Sequence, residues 1–87
     1  MVEERIAGLY EWAVRLASRA ALAGRPRLFA AATRAGEELL LLRHDLEAWE
    51  PGECFDPVEF GVRLRRIEGV LRGVEVELRR SSCQVPA

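Results

Sequence analysis

The sequence offers few of the side chains on which enzyme chemistry depends. It contains no Lys and no Asn, and only one His, one Thr and one Gln. The absence of Lys excludes a Schiff base, and no stretch combines a nucleophile, a base and an orienting group. We therefore expect no catalytic residues, no cofactor and no enzymatic activity. All 13 basic residues are Arg, and the shortage of thermolabile residues indicates a heat-adapted source or, equally, a GC-rich genome.

Cysteines and long apolar runs are also scarce. Cys54 and Cys83 are too few and too far apart along the chain for a disulfide framework, and a single His does not complete a zinc pattern with them. No apolar run approaches the roughly 20 residues of a membrane span. The acidic and polar start, residues 1–5, is unlike a signal peptide. We expect free thiols, no membrane association and a cytoplasmic location.

The chain is short for a protein that must stabilise its own core. It has 87 residues, 49% of them hydrophobic, and a formal net charge of -1. A domain of this size buries only roughly 60 to 65% of its unfolded surface, so a single core is marginal and a second domain is excluded. Burial against a protein partner or a second copy would add stability, and we therefore expect a homodimer or a complex.

Three stretches repeat apolar residues at alternating spacings of four and three, which predicts amphipathic helices over about 2–23, 26–49 and 57–80. The apolar seams consist of Val2, Ile6, Leu9, Ala13, Leu16, Ala20 and Ala23; then Leu28, Ala32, Ala35, Leu39, Leu42, Leu46 and Trp49; then Phe60, Leu64, Ile67, Leu71, Val74 and Leu78. Gly24 suits the C-terminal cap of the first helix, and Pro26 suits the first turn of the second. The prediction is an all-α, three-helix antiparallel bundle, a single domain over 1–80 with a flexible tail at 81–87.

The third helix has a strong start signal but a competing interpretation. Asp56-Pro57-Val58-Glu59 is typical of an N-cap with a capping-box Glu, and Phe55 and Phe60 occupy the hydrophobic-staple positions. Three pairs have the favourable i,i+4 orientation: Glu59 with Arg63, Glu68 with Arg72, and Glu75 with Arg79. Three interior glycines oppose a helix: Gly61, Gly69 and Gly73.

Alternation of apolar and polar residues in the same stretch also fits two half-buried strands turning near residues 68–70. The alternative fold is therefore α+β, a helical hairpin followed by a C-terminal β-hairpin. The strands would bring Cys54 and Cys83 together, whereas a helix would hold them about 35 Å or more apart.

Helix 2 has more leucine than its seam requires. Leu40 and Leu41 project away from a simple three-helix core, which predicts either an apolar interface for a partner helix or a second copy, or coverage by a broad core. Trp12 and Phe29 are candidate anchors of the same interface, with packing at the core edge as the alternative for Trp12. These four residues are the candidate partner-binding residues.

Charge is polarised along the predicted rod. Between Glu11 and Glu37 there are five Arg and no acidic residue, whereas acidic residues dominate 41–56. An antiparallel bundle would gather a basic pole from Arg25, Arg27, Arg79 and Arg80. This pole would orient an acidic partner. A stripe of five Arg on helix 3 supports an alternative function, a small nucleic-acid-associated regulator: Arg65, Arg66, Arg72, Arg79 and Arg80. Against that alternative, the chain is net acidic and no aromatic residue interleaves with the stripe.

His44 is predicted to lie on a solvated helix face. Glu37 and Glu47 lie on the same side, but one His with loosely grouped carboxylates is too little for a metal site. We expect no bound metal.

Two segments resemble the first helical hairpin of flagellin export chaperones. They are Leu9-Tyr10-Glu11-Trp12-Ala13-Val14-Arg15 and Arg34-Ala35-Gly36-Glu37-Glu38-Leu39, and the resemblance covers about residues 9–46. Trp12 replaces the small residue of the family pattern, the second segment lacks its Gln, and the chain is about one helix shorter. The resemblance implies a non-enzymatic helical bundle that holds an amphipathic client segment in apolar grooves.

Overall fold

The computed structural model describes residues 2–49 and 56–83, which form three α-helices. They are α1 (Val2–Leu22), α2 (Pro26–Ala48) and α3 (Pro57–Cys83). The predicted all-α, three-helix bundle is confirmed. α3 continues three residues beyond its predicted end, and residues 84–87 of the predicted tail lie outside the described residues.

The connection between α1 and α2 is a tight turn centred on Gly24. Gly24 has a positive φ of 67°, which is the left-handed conformation that glycine adopts without strain. Its N–H donates to the carbonyl of Ala21 at 3.2 Å, and the N–H of Arg25 donates to the carbonyl of Ala20 at 2.9 Å. This pair of bonds is a Schellman motif, so the predicted glycine cap is confirmed. Pro26 then begins α2 at the position where a missing N–H costs nothing.

Asp56 caps the N-terminus of α3. Its Oδ1 accepts hydrogen bonds from the N–H groups of Val58 at 3.0 Å and Glu59 at 3.2 Å. These N–H groups have no partner within the helix, so the carboxylate satisfies both. The predicted N-cap is therefore confirmed, while Phe55 of the predicted staple lies outside the described residues.

The alternative of a C-terminal β-hairpin is wrong, because residues 57–83 form one continuous helix. A helix places the whole seam of α3 on one face, and all six seam residues, from Phe60 to Leu78, are buried. Burying such side chains contributes roughly 1.5–3 kcal/mol each, which outweighs a cost of about 1 kcal/mol for each interior glycine. Cys83 ends a helix about 40 Å long that begins at Pro57. Cys54 lies outside the described residues.

The core is built from the predicted seams. The buried apolar residues are Ile6, Leu9, Ala13, Leu16 and Ala20 of α1; Ala32, Ala35, Leu39 and Leu42 of α2; and Phe60, Leu64, Ile67, Leu71, Val74 and Leu78 of α3. The predicted burial is wrong for two residues of the seams. Ala23 and Trp49 are exposed, since each lies just beyond the last residue of its helix and the side chain leaves the seam.

Two glutamates of α3 each bond to a residue of α1 and show how the two helices are aligned. Arg5 donates from Nη2 to Oε2 of Glu68 at 3.0 Å, and Trp12 donates from Nε1 to Oε2 of Glu75 at 2.8 Å. In both pairs the α3 residue follows the α1 residue by the same number of positions. The contacts therefore advance in the same direction along the two helices, and α1 and α3 run parallel to each other. α2 runs antiparallel to both, as the short turn at Gly24 requires.

Only some of the ion pairs that the sequence predicts within α3 are formed. Two predicted pairs form, each at 2.6 Å: Glu68 with Arg72 and Glu75 with Arg79. The prediction that Arg63 pairs with Glu59 is wrong. Arg63 instead lies 3.7 Å from Asp45 of α2, because its side chain faces the neighbouring helix.

Candidate interaction surface

An open groove runs between α1 and α2, and no described residue of α3 lines it. We call it the α1/α2 groove. Its two walls are stripes that lie one residue after the buried seams and repeat the same spacing. The α1 wall contains Ala7, Tyr10, Val14, Ala17 and Ala21, and the α2 wall contains Phe29, Thr33, Gly36, Leu40 and Arg43. Two adjoining cavities of about 280 and 320 Å³ share Tyr10 and Leu40, so the groove is continuous.

Gly36 determines the depth of the groove at its middle. The residue is buried, and a Cβ built on it would meet the Tyr10 ring at 3.7 Å and the Cβ of Ala13 at 3.8 Å. The ring of Tyr10 therefore lies beside the backbone of α2. Because Ala17 and Ala21 continue the opposite wall with small side chains, another helix could approach the hairpin closely along this line.

The rim of the α1/α2 groove is charged at one end and uncharged at the other. Four acidic residues and one Arg line the end farther from the turn: Glu3, Glu11, Glu37, Glu47 and Arg43. Arg43 is already paired with Glu47 at 3.1 Å. The half of the groove nearer the turn is lined by apolar residues with Ser18 and Thr33. A ligand of this groove would meet an apolar floor and an acidic end.

Leu40 and Leu41 are both exposed, but they do not share a surface. Leu40 is 46% exposed and lines the α1/α2 groove. Leu41 is 59% exposed and lines a separate groove between α2 and α3, beside Arg66 and Ile67. Neighbouring residues of an α-helix point about 100° apart. The single leucine interface expected from the sequence is thus divided between two faces of α2.

The other two predicted anchors are also separated. Phe29 is 44% exposed and lines the same groove as Leu40. Trp12 lies on the opposite side of α1, where its partly buried indole is bonded to Glu75. Val14, which the seam spacing does not mark as an interface residue, is 47% exposed and lies on the wall of the groove. The second stripe on each helix was the signal that could have revealed it.

The four Arg residues of the predicted basic pole lie at one end of the bundle: Arg25, Arg27, Arg79 and Arg80. Trp12 of α1 is bonded to Glu75 of α3, so these two residues lie at the same height along the bundle. Both helices end a few turns farther on, which places their C-terminal ends together. Acidic neighbours offset part of the charge. Arg79 pairs with Glu75 at 2.6 Å and Arg80 with Glu77 at 3.4 Å.

Ion pairs within α3 offset part of the charge that its Arg stripe could offer to nucleic-acid phosphates. Three of its five members are ion-paired within α3: Arg72, Arg79 and Arg80. Arg65 donates from Nε to the carbonyl of Gly61 at 3.4 Å. Arg66 lines the groove between α2 and α3 together with Leu41. Arg27 and Arg34 lie farther along that groove.

Within residues 2–49 and 56–83, no group of three or more His, Cys, Asp or Glu side chains is placed to hold a metal ion, and His44 is exposed. None of the three helices combines the length and apolar character needed to cross a membrane. Comparison with protein-family models, with curated proteins and with solved structures found no match to this chain.

Proposed function

We propose that the protein is a non-enzymatic helical protein–protein interaction module, of adaptor or chaperone-like character, acting in the cytoplasm. Its docking surface is the α1/α2 groove, and its ligand is a helix supplied by another protein or by a second copy in a homodimer. The observation that carries the proposal is the second apolar stripe on both α1 and α2, which faces away from α3.

The arrangement of the three helices supports a helical ligand. α3 covers one side of the α1/α2 hairpin by inserting its seam between the two helices. The α1/α2 groove presents the same spacing of apolar residues on the other side. Amphipathic helices dock into grooves of this kind through side chains spaced three and four apart. An inserted helix would complete a four-helix arrangement and cover Val14, Phe29 and Leu40.

The chemistry of the groove also favours a protein ligand over a small molecule. It is a long open channel rather than an enclosed cavity, and its polar lining near the turn is limited to Ser18 and Thr33. Such a surface recognises shape and apolar area, while the acidic end affects orientation and encounter rate more than affinity. Burial of exposed apolar side chains would supply the binding free energy.

Two variants of neighbouring residues test this assignment. Leu40→Glu introduces a charge into the α1/α2 groove, and Leu41→Glu introduces the same charge on the α2/α3 side. Both leucines are exposed, so both variants should fold with the wild-type helical content. Tagged wild type, L40E and L41E would be used as baits in lysate of the native source that also contains an untagged, isotope-labelled copy of the chain.

We expect wild type and L41E to retain a stoichiometric protein, either the labelled copy or another chain, and L40E to lose it. Mass spectrometry identifies which of the two is retained. Retention of the same protein by folded L40E would exclude the α1/α2 groove as its docking surface. Recovery of the bait alone by wild type would contradict the proposed function.

A further inference from the structure

A second groove lies between α2 and α3. Two adjoining cavities of about 420 and 230 Å³ form it, and they share Glu38 and Ile67, so the groove is continuous. We call it the α2/α3 groove. Along α2 it extends from Arg27 to Leu42, which is about 22 Å or four turns of helix. The groove is therefore long enough to hold a helix of four turns.

The floor of the α2/α3 groove is apolar and partly open to solvent. α2 contributes the small side chains of Ala30, Ala31 and Ala35, and α3 contributes Ile67 and Val70. Val70 is 42% exposed although it is apolar. Small residues on one wall allow another helix to approach closely. A ligand that covered this floor would gain free energy from burying it.

The walls of the α2/α3 groove are basic. Four Arg and one acidic residue line its two cavities, which gives a net charge of +3. α2 supplies Arg27 and Arg34, α3 supplies Arg63 and Arg66, and the acidic residue is Glu38. The α1/α2 groove has the reverse composition, four acidic residues and one Arg, a net charge of -3. A charged ligand that suits one groove is therefore repelled by the other.

Most of this positive charge is not compensated by the protein itself. Arg63 lies 3.7 Å from Asp45 and is the member with an acidic neighbour. In the described part of the chain, no ion pair is formed by Arg27, Arg34 or Arg66. All three residues are exposed. Three guanidinium groups are thus available to the carboxylates of a ligand.

We propose that the α2/α3 groove binds an acidic amphipathic helix of another protein. The apolar face of this helix lies on the floor, and its flanking carboxylates pair with Arg27 and Arg34 on one wall and with Arg66 on the other. Arg27 and Arg34 are seven residues apart, or about 10.5 Å along α2. Acidic residues two turns apart on a ligand helix have the same spacing. Arg binds carboxylates through paired, charge-assisted hydrogen bonds.

The composition of the groove favours an acidic helix over nucleic acid, which is also anionic. A phosphate backbone interacts through its charge and offers no apolar surface to cover Val70. None of the described residues that line the α2/α3 groove is aromatic, so unpaired bases would have no side chain on which to stack. An amphipathic helix with acidic flanks matches both the floor and the Arg residues.

This inference goes beyond the proposed function and does not depend on the ligand of the α1/α2 groove. It gives the protein two docking surfaces that share α2 and differ in charge. Such a protein would join a partner helix at each groove, which is the arrangement that an adaptor requires.

The test uses the full chain and two labelled peptides of about 18 residues, or five turns. The first peptide has Leu and Ala on one helical face and Glu on both flanks of that face. The second has the same composition in a scrambled order that forms no apolar face. Fluorescence anisotropy measures binding. We expect the first peptide to bind with a Kd below about 100 μM, and the scrambled peptide to bind at least about tenfold more weakly.

Two variants place the peptide in the groove. Arg34→Glu and Val70→Glu should each weaken binding about tenfold or more, since one reverses a wall charge and the other adds a charge to the floor. The matched controls are Arg15→Glu and Val76→Glu, at exposed positions that line neither groove. Val76 is 45% exposed and lies on the same helix as Val70. Both controls should bind within about threefold of wild type, and circular dichroism should show wild-type helical content in all four variants.

Several results would overturn the inference. They are no binding of the acidic peptide to wild type at about 100 μM, equal binding of the scrambled peptide, or an equal loss in the control variants, which would make net charge responsible. A duplex oligonucleotide that displaces the acidic peptide, and whose own binding survives Val70→Glu, would assign the groove to nucleic acid instead. Arg34 and Val70 lie outside the α1/α2 groove, so none of these results decides the proposed function.

Discussion

The indole Nε1 of Trp12 donates a 2.8 Å hydrogen bond to Oε2 of Glu75, and the other oxygen of Glu75 accepts from Arg79 at 2.6 Å. One partly buried carboxylate thus joins α1 to α3 and is itself oriented by a residue one turn farther along α3. The arrangement recurs seven residues earlier, where Glu68 binds both Arg5 and Arg72. The two contacts show the register of α1 against α3.

Replacing Trp12 with Phe should destabilise the protein by about 1–2 kcal/mol, since a hydrogen bond to a charged group is lost while an aromatic ring remains. The free energy of unfolding from urea titration measures this change. A double-mutant cycle of Trp12→Phe and Glu75→Ala should show a coupling of about 1 kcal/mol. A coupling indistinguishable from zero would mean that the hydrogen bond does not contribute to stability.

Gly73→Ala should stabilise the protein by about 0.5–1 kcal/mol. A Cβ at Gly73 meets nothing within 4 Å, and Ala is favoured over Gly in a helix interior by about this amount. The control is Gly24→Ala, where φ is 67° and the substitution should destabilise by roughly 1–2 kcal/mol. Thermal and urea denaturation of both variants measure the difference. A destabilising Gly73→Ala would show that α3 does not pack as described.

Asp56→Ala should cost about 1 kcal/mol, because the N–H groups of Val58 and Glu59 lose the carboxylate that accepts their hydrogen bonds. Asp56→Asn keeps a capping oxygen and should cost less than half as much. Urea titration monitored by circular dichroism compares them with wild type. Equal losses for the two variants would indicate that the charge, rather than the capping hydrogen bond, is responsible.

Leu39→Ala and Leu40→Ala should separate the core from the α1/α2 groove. Leu39 is fully buried, so its truncation should cost about 2–5 kcal/mol in the free energy of unfolding. Leu40 is exposed in the single chain, and its truncation should change the stability of the monomer by less than about 1 kcal/mol. The comparison is made by urea titration at protein concentrations where the chain is monomeric. Similar losses at the two positions would contradict the assignment of the two faces.

Much of the fold is predictable because its signals are local. The three and four spacing of apolar residues identified the helices and nearly all of the buried residues, since a helix brings such residues onto one face. Gly24 and Asp56 marked helix ends for equally local reasons, a left-handed backbone at the first and unpaired N–H groups at the second. The exceptions were Ala23 and Trp49, which continue the spacing although the helices stop before them.

The choice between helix and strands for residues 57–80 depended on the rest of the protein. The local sequence contains both a helical seam and a strand-like alternation, and its glycines weaken the helix. The core formed by α1 and α2 accepts a straight ridge of six side chains from Phe60 to Leu78, and only the helix supplies it. Tertiary packing therefore decided what local propensity left open.

The candidate site also depends partly on local sequence and partly on tertiary packing. The sequence by itself determined that helix 2 carries more exposed leucine than one core requires, because its spacing leaves Leu40 and Leu41 outside the seam. Only the tertiary structure decided that they face different grooves, that Phe29 joins Leu40, and that Trp12 belongs to the contact with Glu75. The physical reason is that spacing defines a face of one helix, whereas a groove is made by two helices whose relative rotation and register arise from packing.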